Sequence, residues 1–457
     1  MKMTGEILGL TIAAFLLIGV HCANVLVGTP SWQLERLFHL GLETNIPTWF
    51  SSLLWALAAV AAFECSWMAP SQGERRIWKG TAAGLLLLSI DEVAIMHESF
   101  ADALQRHFFP AGIFHHFRAS VWPVLFAPLV VCGIAGATAT LWHLLKKSPR
   151  ARARVLAGIA MVAVGGWLIE ATLNFLNHGS LEWLWRVEIV LEESLEMFGV
   201  IVLLSGLLLH QELLRKSSRM RGAFKPLHDP RLIRVLCVTA LFLVAIEGVS
   251  FMSRGTSWQL ERLFDFSQED NVSTWFSSVL FALAGFAAYE CAQAVSLQRE
   301  RRFWQFMGSG LFLFSIDDVA MMHENFSDIF RKYVLNADWA WKKMLLFSFG
   351  FFAALLAAGS FIFLVRSLKG SRRAGALMFL GIVILAGERV LDATEKFLQD
   401  PSLEWLLHIE SVGEGVLKMF GTIVLLSGLL VHQAFLRKQS RAAESTVNEK
   451  FLVGSIS

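Results

Sequence analysis

Charge is what this sequence has least of. Asp, Glu, Lys and Arg make up 17% of its 457 residues, against about 25% in soluble proteins. Hydrophobic residues make up 55%, and the mean hydropathy is +0.54. A soluble domain is excluded. Windows of about 20 apolar residues recur along the chain, which reads as a polytopic membrane protein. Tyrosine is scarce too, with two residues beside 16 Trp. Several of the Trp fall at expected helix ends, where amphipathic rings favour the membrane interface. The five cysteines, Cys22, Cys65, Cys132, Cys237 and Cys291, lack a CxxC spacing and lie mostly in apolar segments. They read as small buried hydrophobes rather than disulfides. Walker, GxSxG, HExxH and strand-linked GxGxxG motifs are absent, and no basic and aromatic pattern suggests nucleic-acid binding.

What is present is written twice. "SIDEVAIMHESF" (89–100) recurs as "SIDDVAMMHENF" (315–326), identical at nine of twelve positions. "TWFSSLLWALAAVAAFEC" (48–65) matches "TWFSSVLFALAGFAAYEC" (274–291), and "TPSWQLERLF" (29–38) matches "GTSWQLERLF" (255–264). A third block, 180–211, matches 402–433. The offset is 226 early and 222 late. These matches predict an all-α membrane protein of about twelve transmembrane helices, in two parallel tandem six-helix repeats at 1–216 and 231–438. A cytoplasmic linker is expected at 217–230 and a disordered cytoplasmic tail at 439–457. Because the opening apolar segment recurs near 232–254, it is read as a membrane helix and not a signal peptide. Basic clusters such as "GERRIWK" and "RERRFW" fall on every second loop. They put those loops and both termini in the cytoplasm, with a bacterial inner membrane as the expected location. The "SWQLERLF" segments then lie outside as short interfacial helices.

Acids placed at membrane depth are the functional signal. At 1.5 Å per residue, Asp91 lies roughly 18 Å inside its helix, Glu196 roughly 21 Å and Glu170 roughly 22 Å. Glu98, Glu192 and Glu188 follow toward the outer surface. Asp91 and Glu98 share one helical stripe; Glu188, Glu192 and Glu196 share another. Glu193 reads as a partly solvated group near the helix end. Ionised carboxylates in hydrocarbon are expensive and repel one another. The first half has few cations at this depth, so a bound metal or shared protons must neutralise them. Asp91, His97, Glu98, Glu170, Glu188, Glu192 and Glu196 are the candidate ligands. Mixed carboxylate and imidazole donors suit Fe, Mn or Zn. His97 and Glu92 are the candidate catalytic groups. His21, His115 and His116 are possible accessories, and His107 lies in the same loop as the last two.

The second half keeps Asp317, Asp318, His323, Glu324, Glu410 and Glu414, with Asp392 in place of Glu170. Lys418 replaces Glu196 and Arg389 replaces Trp167, so this half can neutralise itself and reads as a related, retuned site. His210 and His432 read as charged caps at helix C-termini, and Glu64 and Glu290 as snorkelling groups. Two function classes follow. One is a membrane-embedded metalloprotein, an enzyme (a hydrolase or oxidoreductase) acting on a lipid or other apolar substrate at the outer leaflet. The other is a proton- or cation-coupled transporter, favoured by the duplication. Transporter sites commonly sit on broken helices between repeats, and the third and sixth helices here contain no Pro. A non-catalytic membrane subunit or sensor is the third reading. The pattern SxD[DE]xxxxHE looks like that of uncharacterised bacterial membrane proteins, a resemblance that implies no activity.

Overall fold

A computed structural model describes residues 2–28, 31–108, 122–173, 182–217, 230–252, 262–266, 268–326, 364–366, 368, 370–395 and 404–454. Among them there are helices and no strands. The first half contains α1 (Lys2–Val27), α2 (Trp32–Phe38), α3 (Ile46–Met68), α4 (Gln72–Ala94), α5 (Met96–Phe108), α6 (Trp122–Leu125) and α7 (Ala127–Leu144). It continues with α8 (Pro149–Ala163), which runs through a π-helical turn (Val164–Ile169) into α9 (Glu170–Leu173), and ends with α10 (Glu182–Ser217). The second half contains α11 (Pro230–Met252), α12 (Val272–Ala294), α13 (Gln298–Ala320), α14 (Arg372–Glu395) and α15 (Glu404–Gly454). His115, His116, the 217–230 linker apart from its ends, and the side chains of His107 and Asp392 lie outside the described residues. So does most of the second "SWQLERLF" segment.

Nine helices among the described residues are long and apolar enough to cross a membrane. A tenth is the pair α4 and α5, which together pass the same test but bend by 75°. Large apolar side chains such as Leu16, Leu129, Phe242 and Leu380 point outward, as a hydrocarbon solvent requires. The segment expected as a disordered tail continues α15 to Gly454. Its Ala, Glu and Lys content favours helix.

Local chemistry explains the starts and contacts of these helices. Asn45 caps α3 by accepting the Thr48 amide at 3.0 Å, and Asn271 caps α12 by accepting that of Thr274 at 2.8 Å. Small residues let helices touch. A Cβ on Gly206 would stand 2.9 Å from the Ala151 carbonyl of α8, and one on Gly428 would stand 2.8 Å from the Met378 amide of α14.

Each half contains the same pair of crossed serine bonds. Ser52 and Ser89 each donate to the other's carbonyl at 2.8 Å, joining α3 to α4. Ser278 and Ser315 do the same at 2.8 Å between α12 and α13. These serines also tie the halves together. The Trp49 indole donates to Ser315 at 2.9 Å, and the Trp275 indole donates to Ser89 at 2.9 Å. Helix α3 therefore meets α13 while α12 meets α4, and the acid-bearing helices lie at the contact between halves.

Those helices are broken, contrary to the expectation drawn from their lack of Pro. Ile95 (φ 47°, ψ 46°) and Met321 (φ 47°, ψ 41°) adopt the left-handed conformation at equivalent places. Left-handed geometry is unfavourable for residues with a Cβ. Acid side chains hold both breaks: Asp91 accepts the His97 amide at 2.9 Å, and Asp317 accepts the His323 amide at 2.8 Å. The histidines are then held by the same acids.

His210 and His432 are not terminal caps, because α10 and α15 run well past them. Both are buried; His210 bonds Ser148 at 2.7 Å. Glu64 and Glu290 do not snorkel alone but pair with Arg215 at 3.4 Å and Arg437 at 3.1 Å.

Candidate functional site

Among the described residues, one group of three acid or histidine side chains brings its donor atoms within 4.8 Å of one another: Glu247, Asp265 and His408. Glu247 comes from α11, Asp265 from the short stretch before α12, and His408 from the start of α15. Glu247 is 1% exposed and Asp265 6%. The His408 ring is fixed by Phe251, stacked on it at 3.8 Å with planes 9° apart. His408 Nε2 stands 3.6 Å from Glu247 Oε1. That is too long for a good hydrogen bond. It is close to the separation of roughly 3.4 Å between two donors on a tetrahedral ion with bonds near 2.1 Å. The donor set, two carboxylates and an imidazole, suits Zn, Fe or Mn.

This trio differs from the ligand set expected in the first half. Its signal was in the sequence: the positions matching Glu247, Asp265 and His408 are His21, His39 and Arg186. All three members of the trio are ionisable in both halves. His21 Nδ1 accepts the Leu40 amide at 3.2 Å and meets the His39 ring edge-on at 4.8 Å, while Arg186 is exposed.

The other expected residues fall into three groups. Asp91 and His97 bond each other at 2.7 Å across the helix break, and Trp122 covers the His97 ring at 4.5 Å. The same Trp122 donates to Glu170 at 2.9 Å, so Glu170 joins this group through an indole. In the second half Asp317 and His323 form the matching pair at 3.0 Å. Glu98 and Glu324 are exposed, while Glu188 and Glu410 are buried.

The last group is an acid shell present in both halves. In the second half, Lys418 Nζ sits 3.2 Å from Asp318 and 3.6 Å from Glu414. The charges of Glu269 and Glu388 act on it too. Ser277 also donates to Asp318, and Arg389 lies 3.3 Å from Glu388. In the first half, Glu43, Glu92, Glu192, Glu193 and Glu196 act on one another electrostatically. Glu92 accepts the Trp55 indole at 3.0 Å. Among the described residues, none of the five forms an ion pair with Lys or Arg. Glu43 lies on the exposed loop before α3. Desolvation there, with the charges of Glu92 and Glu98, pushes its carboxyl up to about 8. Glu269, at the matching position, is pushed up to about 7 by burial, with Lys418 opposing the shift. Glu43, Glu193, Glu269 and Glu388 were not among the expected site residues. Glu43 and Glu269 lie in loops, where depth along a helix gives no signal.

The fold and these sites define an all-helical protein of the membrane-spanning type with a buried trio that can hold a metal ion. The chain belongs to a family described as Domain of unknown function (DUF8692), whose model matches residues 7–211 and again 235–433. No curated protein and no solved structure matches it significantly.

Proposed function

We propose that this protein is a membrane-embedded carboxylate and histidine metalloprotein, with the metal at Glu247, Asp265 and His408. The observation that carries the reading is the convergence of two buried carboxylates and a partly buried imidazole, with donor atoms within 4.8 Å of one another. Three protein ligands leave a coordination position for water or substrate, as in catalytic zinc sites. That favours an enzyme acting on a lipid or other apolar substrate, at the end of the bundle read as the outer leaflet. The wider reading is two parallel six-helix repeats in a bacterial inner membrane with both termini cytoplasmic. Support for the duplication comes from the matched sequence blocks and from the two segments of the family match.

A second reading, a proton- or cation-coupled transporter, is favoured by one observation. Helices α4 and α13 are each followed by a left-handed break, carry carboxylates there, and lie at the contact between halves. Discontinuous helices at a repeat interface are where transporters build ion sites.

The test is elemental analysis, by plasma mass spectrometry, of protein purified without chelators, beside Glu247→Gln and His408→Ala variants. One equivalent of Fe, Mn or Zn, lost in both variants, is the expected result. A metal-free protein, or metal retained by both variants, would overturn the assignment.

A further inference from the structure

Helices α12 and α13 leave a crevice of about 380 Å³ between them, lined by Tyr289, Ala292, Gln293, Arg301 and Gln305. It lies where α12, long and apolar enough to cross a membrane, ends and the basic first turns of α13 begin. Asp265 of the trio precedes the opposite end of this 23-residue helix, roughly 34 Å away at 1.5 Å per residue. Gln293, Arg301 and Gln305 are exposed, and Tyr289 is half-buried. Arg301 Nη2 donates to the Val295 carbonyl at 3.4 Å, which uses one of the five donors of the guanidinium.

The two helices change character together with depth. On α13, Arg301, Gln305, Ser309 and Phe312 follow at steps of three or four residues and share one stripe. On α12, Gln293, Tyr289 and Phe286 do the same in the same direction. The Tyr289 and Ser309 hydroxyls lie 2.6 Å apart, and Phe286 meets Phe312 edge-on with ring centroids 4.9 Å apart. Arg301 and Phe312 are roughly 16 Å apart along the helix, about half of a hydrocarbon core. A cation, then hydroxyls, then aromatic rings is the order of a lipid's phosphate, glycerol and acyl chains. The seat of Tyr289, one of two tyrosines in the chain, is built for it: a Cβ on Gly308 would stand 2.7 Å from its ring. The first half has Phe63, Trp67, Ala82 and Ala83 at the places of Tyr289, Gln293, Gly308 and Ser309. It therefore lacks the hydroxyl pair, and the Phe63 and Trp67 rings meet edge-on at 6.0 Å there.

We infer that the crevice between α12 and α13 binds one anionic phospholipid, with Arg301 on the phosphate, Gln293 and Gln305 on headgroup oxygens, and an acyl chain along Phe286 and Phe312. Basic pockets between membrane helices recognise anionic headgroups, and a guanidinium offers a phosphate paired donors. The amides add hydrogen bonds without charge, and Tyr289 sits at the depth where tyrosine favours the membrane interface. This site is remote from the metal trio and stands without it.

The experiment is native mass spectrometry of the full-length detergent-purified protein with dioleoyl phosphatidylglycerol or dioleoyl phosphatidylcholine added, and thermal melting alongside. One phosphatidylglycerol, retained in preference to phosphatidylcholine and raising the Tm, is the expected result. Arg301→Gln should weaken that retention by about 10-fold, since it removes a hydrogen bond between charged groups. Gln293→Trp, which puts the first-half residue into the crevice, should weaken it as well. Arg302→Gln, next to the lining but outside it, should leave retention unchanged. Equal retention of the two lipids, or wild-type retention by Arg301→Gln, overturns the proposal. An equal loss in Arg302→Gln and Arg301→Gln assigns the effect to surface charge at large and overturns it too. Inorganic phosphate that raises the Tm as much as phosphatidylglycerol refutes the lipid as occupant. If Arg301→Gln does not melt cooperatively, Gln293→Trp decides: weakened retention supports the site, and wild-type retention refutes it.

Discussion

The two halves share their frame and differ in their charges. The crossed serine bonds, asparagine caps, left-handed breaks and Asp–His pairs recur at matching positions. So do the Trp-to-Ser bonds between halves, each passing from one half to the serine of the other. Against that sameness, a trio that is His, His and Arg in one half is Glu, Asp and His in the other. An acid shell that contains Lys418 in one half contains Glu196 in the other. A frame that stays fixed while ionisable groups are exchanged separates what folds the helices from what the sites bind. Burying the serines, caps and breaks satisfies backbone and hydroxyl groups, a requirement common to both halves. Charge has no such common requirement, so each half can carry its own.

The largest test of this contrast is to remove the tethered cation. Lys418→Ala leaves Asp318, Glu388 and Glu414 without the shared ammonium, with Arg389 beside Glu388. Breaking a largely buried ion pair in this way is expected to destabilise by about 3 kcal/mol or more. Thermal melting in detergent reads it. Glu196→Gln, at the matching place, should do the opposite and raise the metal-free Tm, because it removes one of several repelling carboxylates. Equal destabilisation by the two variants would break the comparison, since the shells would then share one balance of charge.

A smaller and symmetric effect is expected at the contact between halves. Trp49→Phe and Trp275→Phe each lose one indole-to-serine bond, worth about 1 kcal/mol. The two Tm changes should agree. A much larger effect from one Trp would mean that the apparent reciprocity hides unequal packing.

The helical, membrane-like class was legible because it depends on a pattern along one chain, apolar length. The sequence puts Lys418 at the depth of Asp317 and Asp392; its partners in the fold are instead Asp318 and Glu414. The trio was not legible. Glu247 lies near the end of one helix, Asp265 in a loop and His408 near the start of a distant helix, so only packing unites them. The helix breaks were missed because neither Ile95 nor Met321 is a residue that signals one; an aspartate four residues upstream holds each break through its side chain. By sequence, Glu98 and Glu188 both read as candidate ligands toward the outer surface. In the fold one is exposed and the other buried, a difference of helix face and of the turn at Ile95.

The finest test of the contrast is the pH response of Glu269. Its carboxyl is pushed up to about 7 by burial, against an ordinary value of 4.5. A carboxyl with a raised native pKa binds its proton more tightly in the folded state. The stabilisation this gives is fully present below pH 4.5 and is lost as pH rises through about 7. Glu269→Gln keeps an amide there that does not ionise, so it should flatten the fall in Tm across that window and change little below it. Lys418 pulls against the shift, so the Lys418→Ala background should carry the loss to lower stability at pH 7 and make the Glu269→Gln rescue larger. A Tm profile between pH 4 and 8 that is unaltered by Glu269→Gln in both backgrounds would show that this carboxylate is already neutralised by solvent, and that only the helix-borne members of the second shell depend on the lysine.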